Sequence, residues 1–342
     1  MSTPPSLCNL PDVAAKSVFN RVGFKSIQKL RKVCHDLRIR IDDIKPTANL
    51  SDVIIDVTDC EIRFIYGSKI QTLDVEEGEK VWLETVEYQK SVESGRSIVR
   101  SDGSEKIVNG DFIELASRDL QLILKFQKES IESISFVNGN EHSSHFLQFL
   151  ETLKSFLAFE NQLLKVDVFN INAIDQKSVI TALSLIDPRS IYWITLNNSN
   201  RAIQPMEFPE IMEMEHWKTA KSFTSTFRIT GASVHNFRHF SRFEVMLQSI
   251  SVEDLLDLKK IFQNSSEADM FEIRYESFED REQFFEELGP AVMMSFDEFE
   301  WFFRMSTTAD YVLLIQLKDP FKSIIFLREA VADVQDFAVI QN

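Results

Sequence analysis

The 342-residue sequence predicts an α+β protein: a small helical N-terminal module, a strand-rich unit, then a long series of alternating strands and helices. Three observations carry that reading. Residues 1–50 hold nine Lys and Arg against four acids, a net charge of +5, while the remaining 292 residues carry −21. An asymmetry of that size marks separate modules with separate partners. Residues 51–110 alternate polar and apolar positions between turn signals, as half-buried strands do. From about residue 130, short β-rich runs alternate with stretches of helical period. At roughly 100–200 residues per domain, the length suits two or three domains.

Composition bounds the function. Apolar residues make up 44% of the chain, enough for sizeable cores and too many for a disordered one. The 9 glycines and 9 prolines leave few flexible linkers, and neither GxGxxG nor GxxxxGK[ST] occurs. That argues against a nucleotide-dependent enzyme. The net charge of −16 argues against a general nucleic-acid surface, which must be basic. No apolar run reaches the ~18 residues of a membrane span, so no membrane partner is expected. Residues 1–9 lack a basic and then apolar pattern, so no secretory signal is expected. Cys8, Cys34 and Cys60 are odd in number, far apart and without a CxxC, which points to a reducing compartment, cytoplasmic and/or nuclear. The 29 phenylalanines speak for an aromatic core, hence for packing more than chemistry.

The first module spans residues 5–48. Asn9-Leu10-Pro11-Asp12 reads as a helix start with proline in the first turn. Val13, Ala14, Val18, Phe19 and Val22 follow at mixed helical spacings, and Gly23 breaks the helix. Ser26 is placed to cap the next one. Its apolar residues Ile27, Leu30, Val33, Cys34, Leu37, Ile41 and Ile44 form one stripe, with Lys29, Arg31, Lys32, His35, Arg38 and Arg40 opposite. Cys34 in that stripe is expected to be buried and inert. Pro46 ends the module. About forty residues make a marginal core, so this aliphatic surface must be covered by the rest of the chain or by a partner.

In residues 50–138, strands are expected over 53–57, 62–66 and 82–88, a turn at Ser101-Asp102-Gly103-Ser104, and a helix over 115–126. Further on, β-rich runs centre near Ser135, Val168, Trp193, Phe227, Val245 and Ile273. Amphipathic helices lie between them, one through Phe146, Phe149, Leu150, Leu153, Phe156 and Leu157, another through Val252, Leu255, Leu256, Leu258, Ile261 and Phe262. Strands alternating with helices predict parallel βα units. The irregular period points to a degenerate leucine-rich-like solenoid, an architecture that displays a surface for macromolecules.

Tests for chemistry end without a site. His235 and His239 stand four apart, but Asn236 replaces the Glu that a zinc protease places after its first His, so aromatic packing and capping are expected there. His142 and His145 flank Ser143-Ser144 before a helix, where capping is the natural use. The acidic pairs Glu76-Glu77, Glu279-Asp280, Glu286-Glu287 and Asp297-Glu298 lack the polar loops of a glycosidase or metal site and read as solvated faces. Residues 267–304 hold twelve acids and three bases interleaved with Phe271, Phe278, Phe284, Phe285, Phe296, Phe299 and Trp301. An amphipathic helix pair with an acidic outer face is the plain expectation. The sharper one is a rim at Glu279, Asp280, Glu286 and Glu287 that steers a basic target. No GxSxG occurs, and neither catalytic residues, cofactor nor metal is expected.

Two stretches carry a resemblance. The runs Leu7-Cys8-Asn9-Leu10-Pro11-Asp12-Val13, Val18-Phe19 and Leu30-Arg31-Lys32-Val33-Cys34-His35-Asp36-Leu37-Arg38 resemble an F-box. Val22 and Gly23 depart from the usual Leu and polar pair, and no Trp follows Leu37. Residues 142–285 resemble the FTH domain that follows the F-box in a nematode-expanded family. The resemblance rests on Glu215-His216-Trp217-Lys218-Thr219-Ala220, Phe237-Arg238-His239-Phe240-Ser241-Arg242-Phe243, Ile250-Ser251-Val252-Glu253-Asp254-Leu255 and Phe271-Glu272-Ile273-Arg274-Tyr275. Of the Phe-Thr-His string that names the domain, aligned to Phe240-Ser241-Arg242, only the Phe survives. Residues 286–342, with Gly289-Pro290, Trp301-Phe302-Phe303-Arg304 and strands over 311–316 and 324–327, extend the match. The resemblance implies a non-catalytic substrate-recognition adaptor of a ubiquitin ligase. Its F-box would dock a Skp-type adaptor, and through it a cullin, while the FTH region would hold a protein target. It assigns the F-box core and adaptor contact to Leu10, Pro11, Val13, Val18, Phe19, Leu30, Val33, Cys34 and Leu37. A protein-binding scaffold outside any ligase is the other reading.

Overall fold

The computed structural model describes residues 7–21, 24–69, 80–91, 95–101, 103–140, 144–159, 163–198, 205–335 and 338–341. Val22, Gly23, Glu76, Glu77, Asp102, His142 and Ser143 lie outside them. The chain forms two units, residues 1–168 with 181–190, and residues 169–180 with 191–342.

The first unit opens with a 3-10 turn (Leu7–Asn9) and three helices, α1 (Asp12–Arg21), α2 (Phe24–Arg31) and α3 (His35–Ile44). The continuous stripe expected from Ile27 to Ile44 is broken. α2 stops at Arg31, and α3 restarts after Cys34, which is extended at φ −155°, ψ 164°. Cys34 is therefore exposed, not buried, because the break takes it off the helix before the stripe resumes at Leu37. Ser26 lies within α2 and not at its cap. Lys45, left-handed at φ 48°, closes α3 by donating its N–H to the Ile41 carbonyl.

The chain continues through β1 (Leu50–Val57), β2 (Glu61–Lys69), β3 (Lys80–Lys90), β4 (Arg96–Ser101), β5 (Ser104–Asn109), α4 (Phe112–Lys125), β6 (Ile131–Asn138) and α5 (Ser144–Phe159). The sheet order is β6–β1–β2–β3–β4–β5, with β1 and β6 parallel and the other pairs antiparallel. All three expected strands and the expected helix fall in these elements. Asp111 caps α4, its Oδ1 accepting from the Ile113 and Glu114 N–H groups at 2.9 and 3.2 Å. Val53, Ile55, Ile62 and Phe64 are buried on one face, where the Phe64 ring lies 5.4 Å from Tyr88 and 6.2 Å from Phe149 of α5. On the other face the register aligns Asp56, Arg63, Glu87, Arg100 and Glu105, one from each successive strand. Their charges alternate, with Arg63–Glu87 at 3.2 Å and Arg100–Glu105 at 2.8 Å. Burial raises the Asp56 carboxyl above its ordinary value, against the pull of Arg63.

The helical module is tied to this sheet. The Ala48 N–H donates to the Phe126 carbonyl at 2.8 Å, the Leu50 N–H to Gln127 Oε1 at 3.0 Å, and the Arg31 guanidinium lies over the Phe126 ring at 5.3 Å.

The chain passes between the units within β7 (Val166–Ala173) and α6 (Gln176–Leu183). The second unit then comprises β8 (Trp193–Asn198), β9 (Pro205–Glu207), α7 (Pro209–Glu213), α8 (Glu215–Thr219), β10 (Ser222–Thr230), a 3-10 turn (Val234–Phe237), β11 (Arg242–Ile250), α9 (Val252–Asn264) and β12 (Met270–Phe278). After these come α10 (Arg281–Leu288), β13 (Val292–Ser295), β14 (Glu298–Arg304), β15 (Tyr311–Lys318), a 3-10 turn (Asp319–Phe321), β16 (Ser323–Ala330) and β17 (Ile340–Gln341). All six expected run centres fall within strands. β8, β10, β11 and β12 pair in parallel, as the strand–helix alternation predicts. The run ends there, because the other neighbour of β12 is the antiparallel β16, followed by β15 and β14. The connections are not uniform: α7 and α8 precede β10, a 3-10 turn precedes β11, and α9 precedes β12.

The phenylalanines explain why this sheet holds. Register places Ile194, Phe223, Phe243, Phe271 and Phe326 in one row across five strands, all buried. Phe243 stacks on Phe271 at 4.5 Å, and Phe262 of α9 meets Phe271 edge-on at 5.0 Å. Trp217 of α8 meets Phe223 at 4.7 Å on the same face. The opposite face carries the half-buried row Thr195, Thr224, Glu244 and Glu272, with Arg274 bridging the two glutamates at 2.8 and 3.0 Å. Residues 267–304 form β12, α10, β13 and β14, so the expected helix pair is one helix among three strands. Two-residue alternation in Phe271-Glu272-Ile273-Arg274-Tyr275 and Glu298-Phe299-Glu300-Trp301 outweighs the helical reading.

Candidate functional sites

The helical module buries Ala15 and Phe19 of α1, Ile27 of α2, and Leu37 and Ile41 of α3. Arginines close it. Arg40 of α3 donates to the Cys8 and Leu10 carbonyls and pairs with Asp12, holding the chain entry against α3. Arg31 pairs with Asp42 at 2.9 Å, and Arg38 donates to the Arg31 carbonyl at 3.1 Å, capping the end of α2. With the core complete, an aliphatic surface is left over. Val13 is 84% exposed, Val33 69% and Ile39 47%, with Leu7 and Val18 also exposed. Val13 and Ile39 line a groove of ~630 Å³ between α1 and α3, rimmed by Asp12, Lys16, Asp36 and Arg40.

The residues expected to form core and contact therefore divide. Phe19 and Leu37 are core, Leu10 and Leu30 are half-buried, and Pro11, Val13, Val18, Val33 and Cys34 face solvent. Ile39 escaped sequence reasoning, and Arg40, read only as part of the basic face, proves to close the module. Ile39 is an aliphatic residue out of step with the buried stripe, which is the signal of a second apolar face.

In the second unit, Glu279, Asp280, Glu286 and Glu287 are all exposed at the ends of α10. Asp280 is left-handed at φ 58° at the helix N-cap. α10 packs through Phe284, which meets Trp301 edge-on at 5.8 Å, and the Trp301 Nε1 donates to the Gly289 carbonyl at 3.0 Å. The aromatic residues of the FTH-like segments are core. Trp217, Phe237, Phe240 and Phe243 are buried, with Trp217 5.4 Å from Phe237 and 5.0 Å from Phe240. The Ser241 N–H donates to the Lys221 carbonyl at 2.8 Å, and Arg242 pairs with Asp269 at 2.8 Å. His239 Nε2 lies 2.9 Å from the Trp217 carbonyl and His235 Nε2 3.1 Å from Asp254, so the two histidines do not converge. Among the described residues no three His, Cys, Asp or Glu side chains gather to hold a metal. No described helix is long and apolar enough to cross a membrane.

The comparisons decide the family. The F-box domain model matches residues 7–49, and the FTH domain model matches residues 147–287. The chain is a nematode-type F-box protein with an FTH domain. A curated relative, F-box A protein 224 of Caenorhabditis elegans, is 24% identical over 237 residues, 66% of this chain and 58% of the relative. The match thus spans little more than half the relative's length. No solved structure matches. The F-box match covers the three helices and the entry to β1, and the FTH match runs from α5 to α10.

Proposed function

We propose that this F-box protein is a non-catalytic substrate-recognition adaptor of a Skp–cullin–F-box ubiquitin ligase, acting in the cytoplasm and/or nucleus. The F-box docks the Skp-type adaptor and through it a cullin. The FTH region holds a protein target, and ubiquitin transfer follows from proximity, with the chemistry supplied by other subunits. The observation that carries the reading is the aliphatic surface of Leu7, Val13, Val18, Val33 and Ile39 on a module whose own core is already filled. That surface suits helix-to-helix docking. The exposed acids Glu279, Asp280, Glu286 and Glu287 support a target with a basic surface. The one-sided parallel run β8–β10–β11–β12 supports a short leucine-rich-like array as the frame of target binding.

The test is purification of the tagged full chain from cells with proximity labelling. Adaptor and cullin together, with targets that accumulate when the chain is removed, are expected. Capture of other partners without the adaptor and cullin would overturn the ligase reading and favour the scaffold reading.

A further inference from the structure

We propose that the β13–β14 hairpin and the adjoining face of α10 bind a Lys/Arg-rich protein segment that also carries apolar side chains. The proposal rests on the reading that the FTH region holds the target, and extends the docking surface from α10 to the hairpin just beyond the matched residues 147–287. Phe296 at the hairpin turn is 90% exposed and Met293 of β13 is 65% exposed. Register sets Met293 opposite Phe299, so both side chains leave the same face of the hairpin. On that face the Phe299 ring meets Phe285 of α10 edge-on at 5.0 Å. Met293, Phe299 and Phe285 thus form an apolar strip leading from the turn. Phe321, also exposed, sits beside the turn, where the Asp319 N–H donates to the Asp297 carbonyl at 3.0 Å.

Charge says what covers this strip. Residues 279–300 hold eight acids and one base. That base, Arg281, is engaged by Asp319 and lies over Phe285 at 5.3 Å. Glu282, Glu286 and Glu287 project from α10, and Asp297 and Glu298 from the hairpin. An acidic face that only solvated the protein would not need a Phe and a Met in water at its centre, whereas a basic amphipathic segment needs both parts. The acids draw it in by long-range field, and the Met and Phe side chains adapt to its apolar residues. Among the described residues β13 pairs only with β14, which leaves one edge of the hairpin open.

The test uses the full chain and three short fluorescent peptides of equal length, alternating Lys/Leu, Lys/Ser and Glu/Leu. The Lys/Leu peptide is expected to bind best and the Glu/Leu peptide not at all. Met293→Ser with Phe296→Ser should weaken the Lys/Leu peptide by about tenfold and leave the Lys/Ser peptide unchanged. Glu286→Lys with Glu287→Lys should weaken both basic peptides by about tenfold in low salt. Glu210→Lys with Glu213→Lys on α7 makes the same charge change elsewhere in the unit and should do neither. An equal loss from the α7 pair, or indifference to the Met293 and Phe296 changes, overturns the proposal. In cells, a Met293→Ser, Phe296→Ser chain that keeps both adaptor and labelled targets overturns the hairpin site alone. Failure of the unmodified chain to capture an adaptor, with the peptide results as expected, removes the ligase reading and leaves the hairpin site standing.

Discussion

Val13→Asp with Ile39→Asp tests the F-box surface most directly. Both side chains line the groove between α1 and α3, at 84% and 47% exposure, so neither contributes much to the free chain. Fully burying a Val or Ile is worth ~1.5–3 kcal/mol, of which most at Val13 and about half at Ile39 is still available to a docking partner. A carboxylate in the same place adds a desolvation cost of ~1–3 kcal/mol. Together the pair should weaken adaptor binding by about 4 kcal/mol, close to a thousandfold in Kd. Fold stability should move by no more than about 1 kcal/mol, since exposed substitutions usually stay within ~0.5 kcal/mol each. Phe19→Ala is the contrast. Phe19 is fully buried, and its truncation should cost ~3–5 kcal/mol, more than a core of this size can lose. The four tryptophans all lie beyond residue 80, so fluorescence does not report on this module. Affinity belongs to interferometry with purified adaptor, and folding to amide exchange in α1–α3. A surface pair that keeps native exchange protection and binds within about tenfold of the parent would refute the docking assignment.

Three further outcomes follow from particular contacts. Arg40→Met leaves the Cys8 and Leu10 carbonyls without their charged donor, so unfolding of the module should become easier by ~1.5–3 kcal/mol, read as faster amide exchange over residues 7–15. Asp187, hydrogen-bonded by Arg189 through both carboxylate oxygens, has its pKa lowered to about 2 from 3.8. A depressed carboxylate stabilises above its unfolded pKa, so the Tm advantage over Asp187→Asn should be full above about pH 4 and vanish as pH falls toward 2. A gap that does not change across that range would exclude the ion pair as its source. Trp217→Ala removes the hub of the aromatic cluster and should cost ~3–5 kcal/mol in the second unit by calorimetry, while adaptor capture persists.

Much of this was legible in the sequence because the signals were local. The six β-rich runs and the α5 and α9 stripes have the period of their elements, and all of them became those elements. The α2–α3 break was not legible. Lys32-Val33-Cys34 contains neither Gly nor Pro, and an unbroken stripe runs through it. The break is held by tertiary contacts: Arg38 on the Arg31 carbonyl, Arg31 on Asp42 and Phe126. Residues 267–304 misled for the opposite reason. Dense acids and aromatics suit a helix face as well as a strand edge, and the antiparallel partner that decides, β15, lies further along the chain. The aromatic packing expected around Phe237 and Phe240 was legible too, since both are buried with Trp217.

On the proposed adaptor reading, binding energy is the means of action, so function should be sought where folding leaves apolar surface unspent. The first unit does so at Val13, Val33 and Ile39, after Ala15, Phe19, Ile27, Leu37 and Ile41 have filled the F-box core. The second does so at Met293, Phe296 and Phe321, after the Phe223–Phe243–Phe271–Phe326 row and the Trp301 cluster have filled theirs. The charge around the two surfaces differs in kind. Asp12, Lys16, Asp36 and Arg40 mix signs at the F-box groove, which fixes orientation against one partner without a strong field. Around the hairpin and α10 acids outnumber bases, with Lys318 opposite Glu298 and Arg281 on Phe285, and this excess selects partners by sign at a distance. Salt should therefore separate the two interactions. Raising ionic strength from 0.05 to 0.5 M shortens the Debye length from roughly 14 to 4 Å, so target association should slow severalfold while adaptor binding changes little. Equal salt sensitivity at both surfaces would contradict this division.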